Sequence, residues 1–470
     1  MSPTRWTLCI LPTAVLVHLW TGLRAWSGSK DVTEFILLGF VLFVLYGVAL
    51  RFLWPRSHSA STSSDPKAAL WILGAALLFR LLMLPAGSTS PWPQFLAEDL
   101  RGELPFDTFL LYDNDVWRYL WDGRLTSAGL AVYQISPADV ESAADRGEEW
   151  AEDLVEPDPW EEIHSRVSYR DYRTVYPPGA QALFHAVSRW TPGSVIAWKT
   201  LMVAFDMGTC LLLILWLRRR GRPPNGAILY AWNPLVIKEL SGSAHVDAAL
   251  IFFLCAAFYY LELKRPWRTW LFFSAALLVK PTPIWLLPLF MRRTRWTTWW
   301  LPPVVGGLAF LPFLGSVGHY FQSLGRFAQD WAFNAGPWNL FLRVSRACGF
   351  ERAPADALSL LLTLMVVIIV TLRDDGSREN AIRGAIWILG AYLVLSPTVM
   401  PWYLLWVLPW IVLHPANMPR TWTWPVFTAL SLLSYGIYVD GQESPLVLTI
   451  EYSLWALVAS WEWIRNPSKP

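Results

Sequence analysis

The chain has 470 residues, 54% of them hydrophobic and only 16% charged, with a formal net charge of +2. Apolar runs of about 17 to 22 residues recur along it, each long enough to cross a hydrocarbon core of about 30 Å as a helix. This excludes a soluble globular domain, gives no reason to expect a nucleic-acid partner, and predicts an all-α polytopic membrane protein.

In chain order, predicted spans cover 6–26, 33–54 and 68–85, then 194–217, 225–241 and 244–263. Six more follow at 297–314, 355–372, 384–398, 401–414, 423–439 and 447–464, about 12 in all. The first lacks a clear small-residue cleavage site and is closely followed by another apolar run, so it reads as a helix rather than a signal peptide. Tryptophan, 31 residues in all, gathers at segment ends such as "TRWTTWWLPP", as an amphipathic ring does at a membrane interface. Cys9, Cys210 and Cys255 lie inside apolar runs and Cys348 alone looks exposed, so neither a disulfide framework nor a thiolate metal site is readable.

Residues 267–290 do not read as one span, because "LLVKPTPIW" puts Lys280, Pro281 and Pro283 at the middle. Both flanks, "LKRPWR" and "MRRTRW", are basic and belong on the cytoplasmic side, so a re-entrant hairpin with "KPTP" at its tip is expected. Backbone broken at that depth requires a protein or water-filled surround. With the hairpin in place, Arg51, Arg56, Lys67, "RRRGR" (218–222), Arg465 and Lys469 all fall inside, and both termini are cytoplasmic. The loop 86–193, "SGSAHVD", residues 315–354, "SPTVMPWY" and "VDGQES" then all fall outside. Three segments result: two extra N-terminal helices (1–67), a core (68–414) holding the external loop, and C-terminal helices (415–470).

The loop contains "YDNDVWRYLWDGR", residues 112–124. Read as a helix, Asp115, Arg118 and Asp122 share a face while Val116, Trp117, Leu120 and Trp121 supply apolar surface, which predicts an amphipathic helix lying at the interface. A local explanation stands beside a catalytic one: Asp113 or Asn114 caps the helix, and Arg118 pairs with Asp122. The acidic run from Glu141 to Glu162 reads as a solvated face. The loop returns through "YRDYRTVYPPGA", where Arg170 and Arg173 are either anion ligands or surface charges and Pro178 starts the next helix.

This ordered set, with "LYAWNPLVIKELSGSAHVDA", "KPTP" and "SPTVMPWYLLWVLP", resembles the GT-C superfamily of membrane glycosyltransferases over roughly residues 68–414. The likeness is greatest to polyprenyl-phosphate-mannose-dependent mannosyltransferases, bacterial and GPI-assembling; where they carry an "NPY"-like element, this chain has "LAVY" (130–133). The resemblance implies a GT-C-like bundle and an inverting hexosyltransferase. It would move a sugar, expected to be mannose, from a polyprenyl phosphate to a glycan or glycolipid hydroxyl at the external face, with membrane lipids around it. It also implies a general base from the first external loop. Asp113 and Asp115 are the candidates, with Asp113 favoured because it precedes the helix, and Asp115 orienting it or binding sugar hydroxyls.

A lysine at a break inside an apolar hairpin is costly to bury, and lipid phosphate is its natural partner; Lys280, with Arg170 and Arg173, is the expected phosphate-binding set. His245, Asp247, Tyr176, Trp402, Tyr403 and Asn334 are the expected substrate-lining residues. Lys238 and Glu239 read as interfacial. "DND" also resembles a metal-binding Asp-x-Asp, so a divalent metal is possible, although many lipid-phosphate-dependent members of the superfamily use none. Two other functions compete: a flippase for a lipid-linked sugar, disfavoured by the gathering of polar motifs on one face, and a surface-polysaccharide ligase or polymerase.

Overall fold

The computed structural model describes residues 3–27, 32–54, 66–85, 97, 99, 112–156, 159–414 and 422–465. The opening of the predicted external loop, from 86 to 111 apart from two residues, and the predicted cytoplasmic charges Arg56 and Lys469 lie outside them. Among the described residues every regular element is helical, and one isolated parallel bridge joins Phe333 to Thr398.

Helices α1 (Pro3–Ser27), α2 (Val32–Leu53) and α3 (Pro66–Met83) come first, and α1 packs on both of the others. The loop segment then folds into α4 (Asp115–Ser127), α5 (Pro137–Ala144), α6 (Glu149–Val155), α7 (Trp160–Arg166) and α8 (Pro178–Trp190). The apolar chain continues as α9 (Val195–Arg219), α10 (Pro234–Gly242), α11 (Asp247–Glu262), α12 (Pro266–Val279), α13 (Leu287–Arg293) and α14 (Leu301–Phe310). It ends with α15 (Val317–Asp330), α16 (Gly336–Ala347), α17 (Ala353–Leu372), α18 (Arg378–Leu395), α19 (Leu408–Leu413), α20 (Thr423–Leu430) and α21 (Pro445–Arg465).

Among the described residues, four stretches are each long and apolar enough to cross a membrane: α2, α9, Trp296–Asp330 and α17. The pair α10 and α11 passes that test together, but it bends by 116° at its junction. The expected spans at 401–414 and 423–439 are broken by the 3-10 turns Pro401–Trp406 and Ser431–Gly436. Between α12 and α13 the chain does break at "KPTP": Lys280 is extended and a 3-10 turn runs from Thr282 to Leu286. The bend at "SGSAH" falls at the expected link between 225–241 and 244–263, but the first of these is divided into short helical pieces and is not one continuous span.

One expectation is corrected by packing. Helix α4 is not an interfacial helix with a wet face: Val116, Trp117, Tyr119, Leu120, Trp121, Asp122 and Leu125 are all buried. It lies against α8, and Gly123 permits the close crossing, since a Cβ there would sit 2.5 Å from the Phe184 carbonyl oxygen. Gly179 does the same for α8 on α12, where a Cβ would meet the Leu278 carbonyl oxygen at 2.7 Å. The first approach joins two helices of the loop segment, and the second ties that segment to the apolar bundle. Pro178 begins α8 as expected, where its missing N–H costs nothing.

Candidate active site

Two backbone irregularities build the site. Residues Lys238–Gly242 form a π turn, and Ala244 takes a left-handed φ of 53° despite its Cβ. The Trp198 indole donates to the Ala244 carbonyl at 2.8 Å and helps hold this conformation. Tyr112 has the same φ of 53°, and its ring packs edge-on against Phe35 of α2. Such backbone costs on the order of 1–3 kcal/mol and persists only where neighbours over-determine it. Each strained residue immediately precedes one partner of a buried pair, Asp113 and His245.

His245 Nε2 lies 2.7 Å from Asp113 Oδ2, while Asp113 Oδ1 accepts the Asp115 N–H at 2.9 Å. Burial raises the Asp113 carboxyl, but His245 outweighs it and leaves the group lowered, to about 2. On the other side of the ring, Nδ1 stands 3.4 Å from the Tyr119 hydroxyl and 3.5 Å from Asp115 Oδ2. Trp402 stacks on the imidazole with centroids 3.7 Å apart. Behind it, Glu239 Oε2 is 3.3 Å from both His245 Nε2 and Lys238 Nζ, and Glu239 accepts a short hydrogen bond from the Tyr435 hydroxyl. Lys238 Nζ also donates to Ser243 Oγ at 2.9 Å and to the Tyr435 hydroxyl at 2.7 Å.

Asp113, Glu239 and His245 bring three ligand-type atoms within 4.8 Å of one another. A divalent ion there would stand beside the Lys238 ammonium. With His245 as imidazolium the two carboxylates already have two cations, so the donor set fits an ion-pair cluster better than a metal centre.

A cavity of about 1100 Å³ opens in front of this cluster. Asp113, Asp115, Arg118, Arg173, Tyr176, Lys280, Trp402 and Tyr403 are among its polar and aromatic lining, and Leu324, Phe327, Leu360 and Leu395 are among its apolar lining. Lys280 Nζ is 2.7 Å from Asp247 Oδ2 and lies over the Tyr403 ring, and the Trp406 indole donates to Asp247 Oδ1 at 2.7 Å. Arg118 pairs with Asp122 at 2.9 Å, and Gln181 holds the other oxygen of Asp122 at 3.1 Å. Two lining charges are less engaged. The Asp115 side chain is 38% exposed and touches His245 only at 3.5 Å, and Arg173 has no carboxylate partner among the described residues.

Asp113, Asp115, Arg173, Tyr176, Lys280, Trp402 and Tyr403 are therefore brought together as the sequence suggested. His245 and Asp247, expected to line the cavity, are wholly buried behind its wall and reach it through Asp113, Asp115 and Lys280. Lys238 and Glu239 are not interfacial but wholly buried in the cluster, because the π turn carries them inward. Arg170 is held away by Glu141 and His164, at 3.1 and 2.9 Å. Asn334 is buried outside the lining; its side-chain amide donates to Glu451 at 2.9 Å and its backbone N–H to Glu443. Tyr119, Tyr435 and Trp406 were not singled out. Tyr119 lies in the quoted "RYLWDG" and Trp406 in "SPTVMPWYLLWVLP", whereas Tyr435 carries no sequence signal.

The chain is thus helical and largely apolar, with carboxylates and cations lining a mostly apolar cavity. Residues 108–294 match the family model described as "Alpha-(1->6)-mannopyranosyltransferase, N-terminal domain". The resemblance to GT-C mannosyltransferases is thus shown on this segment, and the match supports a glycosyltransferase. The segment contains the DND motif, the π turn and Lys280; Trp402, Tyr403 and Tyr435 come from beyond it. No curated protein and no solved structure gives a match.

Proposed function

We propose that this protein is an inverting mannosyltransferase that uses a polyprenyl-phosphate sugar at the external membrane face. The observation that carries the proposal is that Asp115, Arg173 and Lys280 line one cavity whose lining is largely apolar. The apolar lining suits an isoprenoid chain, and the charged lining residues suit a sugar phosphate.

Asp115 is the base in this reading, exchanging roles with the favoured Asp113. Asp113 spends one oxygen on His245 and the other on a backbone N–H, whereas Asp115 keeps an exposed carboxylate. Asp115 takes the proton of the acceptor hydroxyl as that oxygen bonds to the anomeric carbon. The bond from that carbon to the phosphate oxygen breaks on the opposite face, which inverts the configuration. Arg173 and Lys280 receive the charge that develops on the leaving phosphate, and the apolar surround makes each more effective. No strong general acid is needed because lipid phosphate leaves readily, and no step requires a metal.

The proposal includes the topology inferred above, about 12 spans with the break at Lys280 as a re-entrant hairpin opening outward. A transfer assay with a panel of polyprenyl-phosphate sugars and linkage analysis tests it. Mannose is expected to transfer, one residue per turnover. Movement of the lipid-linked sugar across vesicles with no glycosidic bond formed would refute it.

A further inference from the structure

His245 touches no cavity space, yet every freedom of its ring is removed. Ala244 and the π turn set its backbone, Trp402 covers one face, and Asp113 and Glu239 hold Nε2. What remains is Nδ1, which forms a triangle with the Tyr119 hydroxyl and Asp115 Oδ2, its sides 3.4, 3.3 and 3.5 Å. Asp115 stands on the first turn of α4 with an exposed side chain and no ion-pair contact shorter than this one.

We propose that His245 is a positioning residue: with Tyr119 it fixes where the Asp115 carboxylate stands at the cavity wall, and it contacts neither donor nor acceptor. This rests on the reading of the protein as a mannosyltransferase with Asp115 as base. A buried ring anchored to Asp113 turns the DND turn and the "SGSAHVDA" bend into one rigid unit. The carboxylate is therefore set before substrate arrives, and its ordering costs nothing at the reaction step.

The test compares wild type, His245→Asn and Tyr119→Phe on two readouts. In mannose transfer, both variants are expected to lower kcat, His245→Asn by about 10²-fold, the loss that a misplacement of about 1 Å produces. KM for donor and acceptor stays within about threefold, because neither residue binds them. A raised KM with kcat unchanged, or full activity in both variants, overturns the proposal. The second readout needs no substrate: carbodiimide labelling of Asp115, followed by mass spectrometry. His245→Asn is expected to speed labelling severalfold as the carboxylate is released. If His245→Asn unfolds, Tyr119→Phe carries the same test, since it removes one corner of the triangle and leaves the buried ion pairs in place. Unchanged labelling in the folded variants overturns the proposal. A wild type that transfers no sugar from any polyprenyl phosphate, with labelling accelerated as expected, overturns the functional reading and leaves the positioning of Asp115 standing.

Discussion

Lys280 and Asp247 meet at 2.7 Å with the aspartate wholly buried and the lysine side chain 12% exposed. The pair joins the break after α12 to the first residue of α11, so one ionic contact closes two interruptions in apolar helices. Removing one partner leaves the other uncompensated at low dielectric. Asp247→Ala is expected to cost about 3–5 kcal/mol of stability, and the double variant Asp247→Leu with Lys280→Met less than that. Thermal unfolding in detergent measures both. Lys280→Met alone is expected to lower mannose transfer by on the order of 10²-fold, the loss of one preorganised charge contact.

The two aspartates of the DND motif separate by role. Asp115→Asn is expected to leave a folded protein and lower kcat by about 10²- to 10⁴-fold, the range for a lost general base. Asp113→Asn is expected to weaken folding, because it leaves His245 short of a partner. The Asp113 carboxyl is depressed in the folded protein, to about 2, so its contribution is fully present above the ordinary carboxylate range. That contribution is lost only as pH falls from the unfolded value near 3.8 through the folded value. The destabilisation by Asp113→Asn is therefore expected to shrink as pH falls from 3.8 toward about 2. Unfolding measured across that range checks it.

Gly123 is a steric requirement of the site. A Cβ there would meet backbone and not the movable end of a side chain, so Gly123→Ala is expected to cost about 1–3 kcal/mol. It also shifts α4, which carries Asp115 and Tyr119, so transfer falls with it. Retained stability and rate in Gly123→Ala would show that the crossing of α4 and α8 is looser than 2.5 Å implies.

The N-terminal helices support the site from behind. The Phe35 ring of α2 lies 5.1 Å from that of Tyr112 and 5.2 Å from that of Tyr435, the residues beside Asp113 and Glu239. Phe35→Ala is expected to cost about 3–5 kcal/mol and to reduce transfer, measured by unfolding and by activity of the folded fraction. The helices read as extra from sequence are thus expected to be needed for the chemistry.

Much of the site was legible because charge is scarce in this chain, 16% of residues, so the aspartates of "DND" and the lysine of "KPTP" stand out against their apolar surroundings. The depth of each residue was not legible. The sequence around "KELSGSAH" gives no sign of the π turn that carries Lys238 and Glu239 inward and sets His245 behind the wall. Helix α4 has an amphipathic pattern, yet it is largely buried, with α8 crossing closely at Gly123 and only Asp115 and Arg118 of the polar face left to line the cavity. Arg170 and Arg173 were indistinguishable three residues apart. Only folding gives Glu141 and His164 to one and the cavity to the other.

The most direct measurement supplies purified wild-type protein and Asp115→Asn with radiolabelled polyprenyl-phosphate mannose and an acceptor glycan, then determines the anomeric configuration of the product. The account predicts mannose transfer with inversion by wild type and a loss of at least about 10²-fold in the folded variant. Transfer with retained configuration, or an unimpaired Asp115→Asn, would contradict it.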